Sequence, residues 1–111
     1  MLSFDQGAAG ALPDPAGSIP DGLIAYKRTA EFNQDTIPEA LLRSHATKPG
    51  VWGRICVTEG RLVYRITDHR RQQRERLLTP ACPGVVEPEI LHEVRPSGDV
   101  RFFVEFFRQP S

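Results

Sequence analysis

Three histidines, His45, His69 and His92, two cysteines, Cys56 and Cys82, and a carboxylate set among phenylalanines, Glu105 in FFVEFF, are the side chains of this sequence best suited to chemistry. A first-row metal ion needs three or more N, O or S donors converging at about 2.0–2.3 Å. His45, His92 and Glu105 are the one set of strong donors that a β-rich chain could bring together. Two imidazoles and a carboxylate with open positions suit a divalent ion such as Zn, Fe, Ni or Mn. Plainer readings stand beside this one. By strand alternation His92 shares a face with Ile90 and Val94 and points inward, as a hydrogen-bonded core histidine also would. His45 shares its parity with Leu41 and Arg43 and sits near a sheet rim. Glu105 is costly to bury unpaired, so a salt bridge to Arg43, Arg54 or Arg101 is the structural alternative. Without a metal, the basic and aromatic residues Arg43, Trp52, Arg54 and Tyr64 could line a pocket for a small anion or other small molecule.

Other chemistries find no support. Ser44 beside His45 cannot form a hydrolytic dyad, because adjacent strand residues face opposite ways. There is no GxSxG elbow, CxxC pair or Gly-rich phosphate loop, so no nucleotide cofactor is expected. The 14 basic and 14 acidic residues cancel to a net charge of zero. That disfavours partners recognised by a bulk positive field, nucleic acid and membrane surfaces alike. No run approaches ~20 apolar residues, the N-terminus lacks a signal-peptide pattern, and two cysteines make no disulfide framework, so a cytoplasmic protein is expected.

The elements that must position these residues read as strands. The chain has 111 residues, enough for one core, to which six Phe, two Tyr and one Trp contribute. Residues 1–22 are rich in Gly, Pro, Ala and Asp without periodicity and read as an irregular arm. The domain proper spans 23–111. LIAYKRT has strand character, and Pro38–Leu42 allows a helical turn. VWGRICV and RLVYRIT are two strands, expected to pair through a tight turn at Thr58-Glu59-Gly60. In the second, Leu62, Tyr64 and Ile66 share one face. The polar run DHRRQQRER reads as the solvated tip of a hairpin, with His69 in solvent. RLLT, GVVE, ILHEVR and VRFFVEFFR follow, separated by Pro-rich or Ser-Gly-Asp turns. About eight short strands without intervening helices indicate an all-β sandwich or barrel of the jelly-roll or double-stranded β-helix kind. The last strand is apolar on both faces, which suggests a homodimer.

Over residues 23–108 the chain resembles a known family. The features are H-x-T-K-x-G-x-W-G from His45 to Gly53, V-x-x-G-x-L-x-Y from Val57 to Tyr64, V-E-P-x-x-x-H-x-V from Val86 to Val94, and the closing F-x-x-x-F-F from Phe102 to Phe107. They are similar to the cupin-like domain of the TehB/YeaR-like family, found at the N-terminus of tellurite-resistance protein B and as short standalone proteins. The resemblance implies a cupin fold and a role in tellurite or related oxyanion tolerance. Laid on the cupin metal motif, His45 takes the first histidine position, Thr47 the second, Gly53 the glutamate and Gly60 the final glycine. His92 after Pro88 fits the second motif. The implied site is therefore reduced: His45 and His92, completed by Glu105 or water, or a small-ligand pocket without metal. Tellurite-resistance protein B also carries an S-adenosylmethionine-dependent methyltransferase domain. The 111 residues leave no room for one, so a separate methyltransferase is an expected partner.

Overall fold

The computed structural model describes residues 18–110. Most of the expected arm, residues 1–17, lies outside that range. Six strands and one helical turn follow in the order β1 (Ile24–Arg28), β2 (Phe32–Asn33), α1 (Glu39–Leu42), β3 (Trp52–Ile66), β4 (Arg74–Leu78), β5 (Gly84–Val86) and β6 (His92–Arg108). The helical turn begins after Pro38, as expected. All pairings between these six strands are antiparallel and belong to one sheet with the open path β1-β6-β3-β4; β2 adds to β6 and β5 adds to β3. The all-β expectation holds.

The expected count of about eight strands becomes six, because two expected turns are not turns. Thr58-Glu59-Gly60 and Ser97-Gly98-Asp99 lie inside the long strands β3 and β6, which pair with each other from Trp52↔Phe107 to Ile66↔His92. The ladder slips between Val57 and Glu59 and again between Gly60 and Leu62. These are β-bulges, which bend a strand without ending it. Gly60 adopts φ 81°, and a Cβ there would lie 2.0 Å from the carbonyl oxygen of Asp99. Only glycine permits that approach of two backbones.

The bulges also set which residues reach the core. Before them, the odd positions Ile55 and Val57 are buried; after them, the even positions Leu62 and Tyr64 are. A one-residue slip exchanges the faces of a strand. Here it keeps both halves of β3 facing inward as the sheet folds across the bend. The N-terminal half pairs with β5 and the end of β6, and the C-terminal half pairs with β4 and the start of β6. Residues of both halves form one apolar cluster around Phe102, Leu62, Leu78 and Val100.

The hairpin of β3 and β4 has the expected polar tip, with His69 exposed. Its first residue departs from expectation. Asp68 is 1% exposed and binds the side chain of Arg70 and the backbone N–H of Leu91. Both cysteines are free and half-buried. No helix among the described residues is long and apolar enough to cross a membrane.

Candidate functional site

His92 is the first residue of β6, and alternation turns it into the core beside Val94. His45 lies in the extended segment between α1 and a Pro-Gly turn closed by Val51 N–H donating to Lys48 carbonyl at 3.0 Å. Gly50 takes φ 76° there, as the third residue of a type II turn requires. That segment returns along the sheet. His45 and His92 exchange both backbone hydrogen bonds, at 3.0 and 2.9 Å, in an isolated antiparallel bridge. Directly paired residues project to the same side, so the rings meet, with centroids 4.1 Å apart and planes inclined by 53°. Tyr64 packs edge-on against His92 at 5.7 Å and donates its hydroxyl to the Val85 carbonyl.

Each ring is held by the same device. His45 Nδ1 lies 3.0 Å from the Arg43 carbonyl, and His92 Nδ1 lies 2.9 Å from the Ile90 carbonyl. A carbonyl only accepts, so Nδ1 carries the proton in each case and, in the neutral ring, Nε2 keeps a lone pair. Burial pushes the His92 pKa down to about 4; its hydrogen bond to Ile90 opposes the shift, and the neighbouring His45 adds to it. His92 is therefore neutral at physiological pH.

Both rings line a cavity of about 390 Å³ between the folded halves of the sheet. Its walls are mainly apolar, including Phe32, Ile55, Val86, Val94, Phe102 and Phe106. Thr47 and Gly53 also line it, and so do the exposed Lys27 and Lys48. Neither lysine forms an ion pair among the described residues. Asp68 supports the site from behind. Its carboxylate accepts from Leu91 N–H at 2.9 Å, while Leu91 carbonyl accepts from the N–H of Thr67 and Asp68. This ties the residue before His92 to the end of β3. Arg70 completes the clasp by donating to Asp68 and to the Glu89 carbonyl. These bonds hold the Asp68 carboxyl well below the usual carboxylate range. Glu89 itself sits at φ 64°, a left-handed backbone that the clasp stabilises.

The sequence-derived candidates divide sharply. His45 and His92 converge. Glu105 does not join them: it pairs with Arg54 across the ladder, and that face is opposite to the one carrying Gly53, Ile55, Val104 and Phe106. Arg54 approaches its carboxylate at 3.8 Å, and Cys56 Sγ lies 4.0 Å from it. Burial first, and the Glu105 carboxylate second, push the Cys56 thiol up. Trp52 and Arg54 share this other face, and Arg54 covers the ring of Phe107 while Arg28 covers Phe103. Arg43 is exposed and near Glu39, at 3.8 Å. Tyr64 backs His92 without lining the cavity. The alternation within FFVEFF was visible in the sequence; which face looks into the cavity was not. Lys27, Thr47, Lys48 and Asp68 were missed as supporting residues, although Thr47 and Lys48 stand beside His45.

Among the described residues, no three His, Cys, Asp or Glu side chains converge in a way that could hold a metal ion. Two imidazoles fall short of the donor set of a tightly held first-row ion. The arrangement can offer two imidazole acceptors to a mainly apolar cavity, one on a buried ring and one on a half-buried ring, and two ammonium groups in its lining.

Fold and site together define a small all-β domain that encloses a ligand-sized, histidine-bearing cavity. The family model described as the TehB-like domain matches residues 27–104, and the chain belongs to this family. Among curated proteins it is similar to a probable S-adenosyl-L-methionine-dependent methyltransferase TehB of Haemophilus influenzae (strain ATCC 51907 / DSM 11121 / KW20 / Rd), 33% identical over 79 residues. The match covers 69% of this chain and 28% of the relative, so the chain corresponds to less than a third of that protein's length. The TehB of strain 10810 matches over the same share of each chain at 32% identity. The crystal structure of TehB from H. influenzae superposes with a TM-score of 0.73 at 28% identity, covering 80% of this chain and 32% of the other. A crystal structure of a protein of E. coli (strain K12) gives a TM-score of 0.75 at 27% identity, covering 85% of this chain and 98% of that one.

Proposed function

We propose that this TehB-like domain is a ligand-binding module of tellurite and related oxyanion tolerance, and that it takes a small molecule between His45, His92 and the apolar walls of the cavity. The observation that carries the reading is the facing pair of imidazoles, each with Nδ1 committed to a carbonyl and Nε2 left as an acceptor. Both rings line the cavity, and an Nε2 acceptor facing apolar walls favours a ligand that supplies a donor. The sheet folded around the cavity that both histidines line supports the cupin-like description of the fold. The match to one region of a methyltransferase supports a further part of the proposal: the domain serves a separate methyltransferase and contributes binding rather than methyl transfer.

A divalent metal is the second reading. It is favoured by the two Nε2 lone pairs, with water or the ligand filling the remaining positions. Isothermal titration of the purified chain, free of any polyhistidine tag, with Zn²⁺, Ni²⁺ and tellurite tests both. Binding of any of them that His45→Ala and His92→Ala each weaken supports the site. Binding unchanged in both variants counts against it.

A further inference from the structure

The cavity is too large and too apolar for the smallest ligands it has been given. At ~30 Å³ per water, about 390 Å³ has room for about a dozen waters. An oxyanion of four or five atoms would leave most of that water against Phe32, Ile55, Val86, Phe102 and Phe106. Cavities of this size and lining are filled by organic bodies, with a few polar groups fixing their orientation.

The hydrogen-bonding inventory narrows the class. Thr47 spends its hydroxyl proton on the Val51 carbonyl at 2.7 Å, and Thr29 spends its own on the Ala30 carbonyl at 2.8 Å. Thr29 also accepts from Val104 N–H at 3.0 Å. Both histidine Nδ1 protons are taken by carbonyls. Among the side chains of the lining, what remains for a ligand is a pair of Nε2 acceptors, the ammonium groups of Lys27 and Lys48 and, beside them in the exposed part, the hydroxyl of Tyr26. His92 is 4% exposed and His45 half-buried, whereas the lysines are exposed, so the acceptors lie inward of the positive charge. A bare dianion is the wrong way round, because its oxygens would face lone pairs.

We propose that the cavity binds a small organic monoanion that has an apolar body, a carboxylate or similar group toward Lys27 and Lys48, and a hydroxyl or N–H that donates to the His45–His92 pair. This rests on the reading of the cavity as the ligand site and names the class of that ligand.

The test is an NMR titration of the full chain with 4-hydroxyphenylacetate and 6-hydroxyhexanoate, with their hydroxyl-free counterparts phenylacetate and hexanoate, and with potassium tellurite. The hydroxy acids are expected to give saturable shifts at Val86, Val94 and His92, and to bind about tenfold more tightly than the hydroxyl-free acids, the effect of one added hydrogen bond in an apolar cavity. In His92→Gln that preference is expected to shrink. If the variant does not fold, the comparison of acids on the unaltered chain decides alone. Equal affinity with and without the hydroxyl overturns the role given to the imidazoles. Saturable cavity shifts from tellurite and none from the organic acids overturn the ligand class but leave the cavity as the ligand site. No saturable shift from any of them overturns the ligand class, and if the metal titrations are also silent the ligand site falls with it.

Discussion

The rings of His45 and His92 lie 4.1 Å apart because their backbones pair in a two-bond β-bridge, which a second bridge between Thr47 and Pro88 extends. One ring is half-buried and the other almost fully buried. Their proximity is therefore a property of backbone register, and perturbing either the rings or the register has separable effects.

The buried ring makes stability depend on pH. His92 has a native pKa of about 4 against 6.5 for the free side chain. Between these values the unfolded chain binds the proton more readily, so stability falls as pH drops from 6.5 to 4 and is flat for this group above 6.5. The full effect is at most about 3 kcal/mol. Urea unfolding of the wild type at pH 4 to 7 is expected to show that slope, and His92→Gln is expected to show it reduced. Equal slopes in the two proteins would show that His92 is not held neutral by the fold.

The two faces of the sheet are expected to separate by function. Glu105→Gln and Arg54→Ala alter residues on the face away from the cavity. Each should leave affinity at the histidine site within about twofold, whereas His45→Ala should lower it by about tenfold or more. Titration of the four proteins with one ligand measures this. A tenfold loss in Glu105→Gln would return the carboxylate to the site.

Asp68 is expected to matter more than its polar surroundings suggest. Asp68→Ala leaves Leu91 N–H without its acceptor and Arg70 with the Glu89 carbonyl but no carboxylate, and releases the backbone before His92. The thermal midpoint should fall clearly, while His69→Ala in the same loop should change little. Because the native carboxyl is held below its ordinary range, its contribution is present above the unfolded pKa near 3.8 and is lost as pH falls below it. A fall in midpoint no larger than that of His69→Ala would remove the clasp from the account.

Gly60 should resist replacement. Gly60→Ala places a Cβ against the Asp99 carbonyl and strains a left-handed backbone, for an expected loss of about 2–4 kcal/mol in chemical denaturation. Gly98, also at positive φ but with open space around it, should cost less.

The expectation of self-association rests on the sequence of the C-terminal strand, which is apolar on both faces. Phe103 and Phe107 on the face away from the cavity are overlaid by Arg28 and Arg54. Light scattering after size exclusion is expected to give twice the chain mass; a single-chain mass would show that the two guanidinium groups cover that face sufficiently.

Much of this protein is written in local patterns. Alternation in RLVYRIT places Leu62 and Tyr64 inside, and their burial follows. Pro49-Gly50 makes its turn, Pro38 starts its helical turn, and His92 points inward with Val94. The motifs around His45 and His92 are family features that residue types and spacing carry by themselves. Short-range rules work at these positions because they depend on neighbouring atoms along the chain.

Tertiary structure decided the rest. Thr58-Glu59-Gly60 has the composition of a turn, yet a partner strand running alongside makes it a bulge. Glu105 had a polar role open on either face until register set Arg54 opposite it and His92 beyond reach. Asp68 looked like loop until the chain brought Leu91 to its carboxylate. In each case the deciding atom belongs to a segment distant in sequence, and strand register is fixed by the packing of the whole sheet. Residue types alone therefore named the two histidines, and only the folded sheet could say that they meet, and that Glu105 does not.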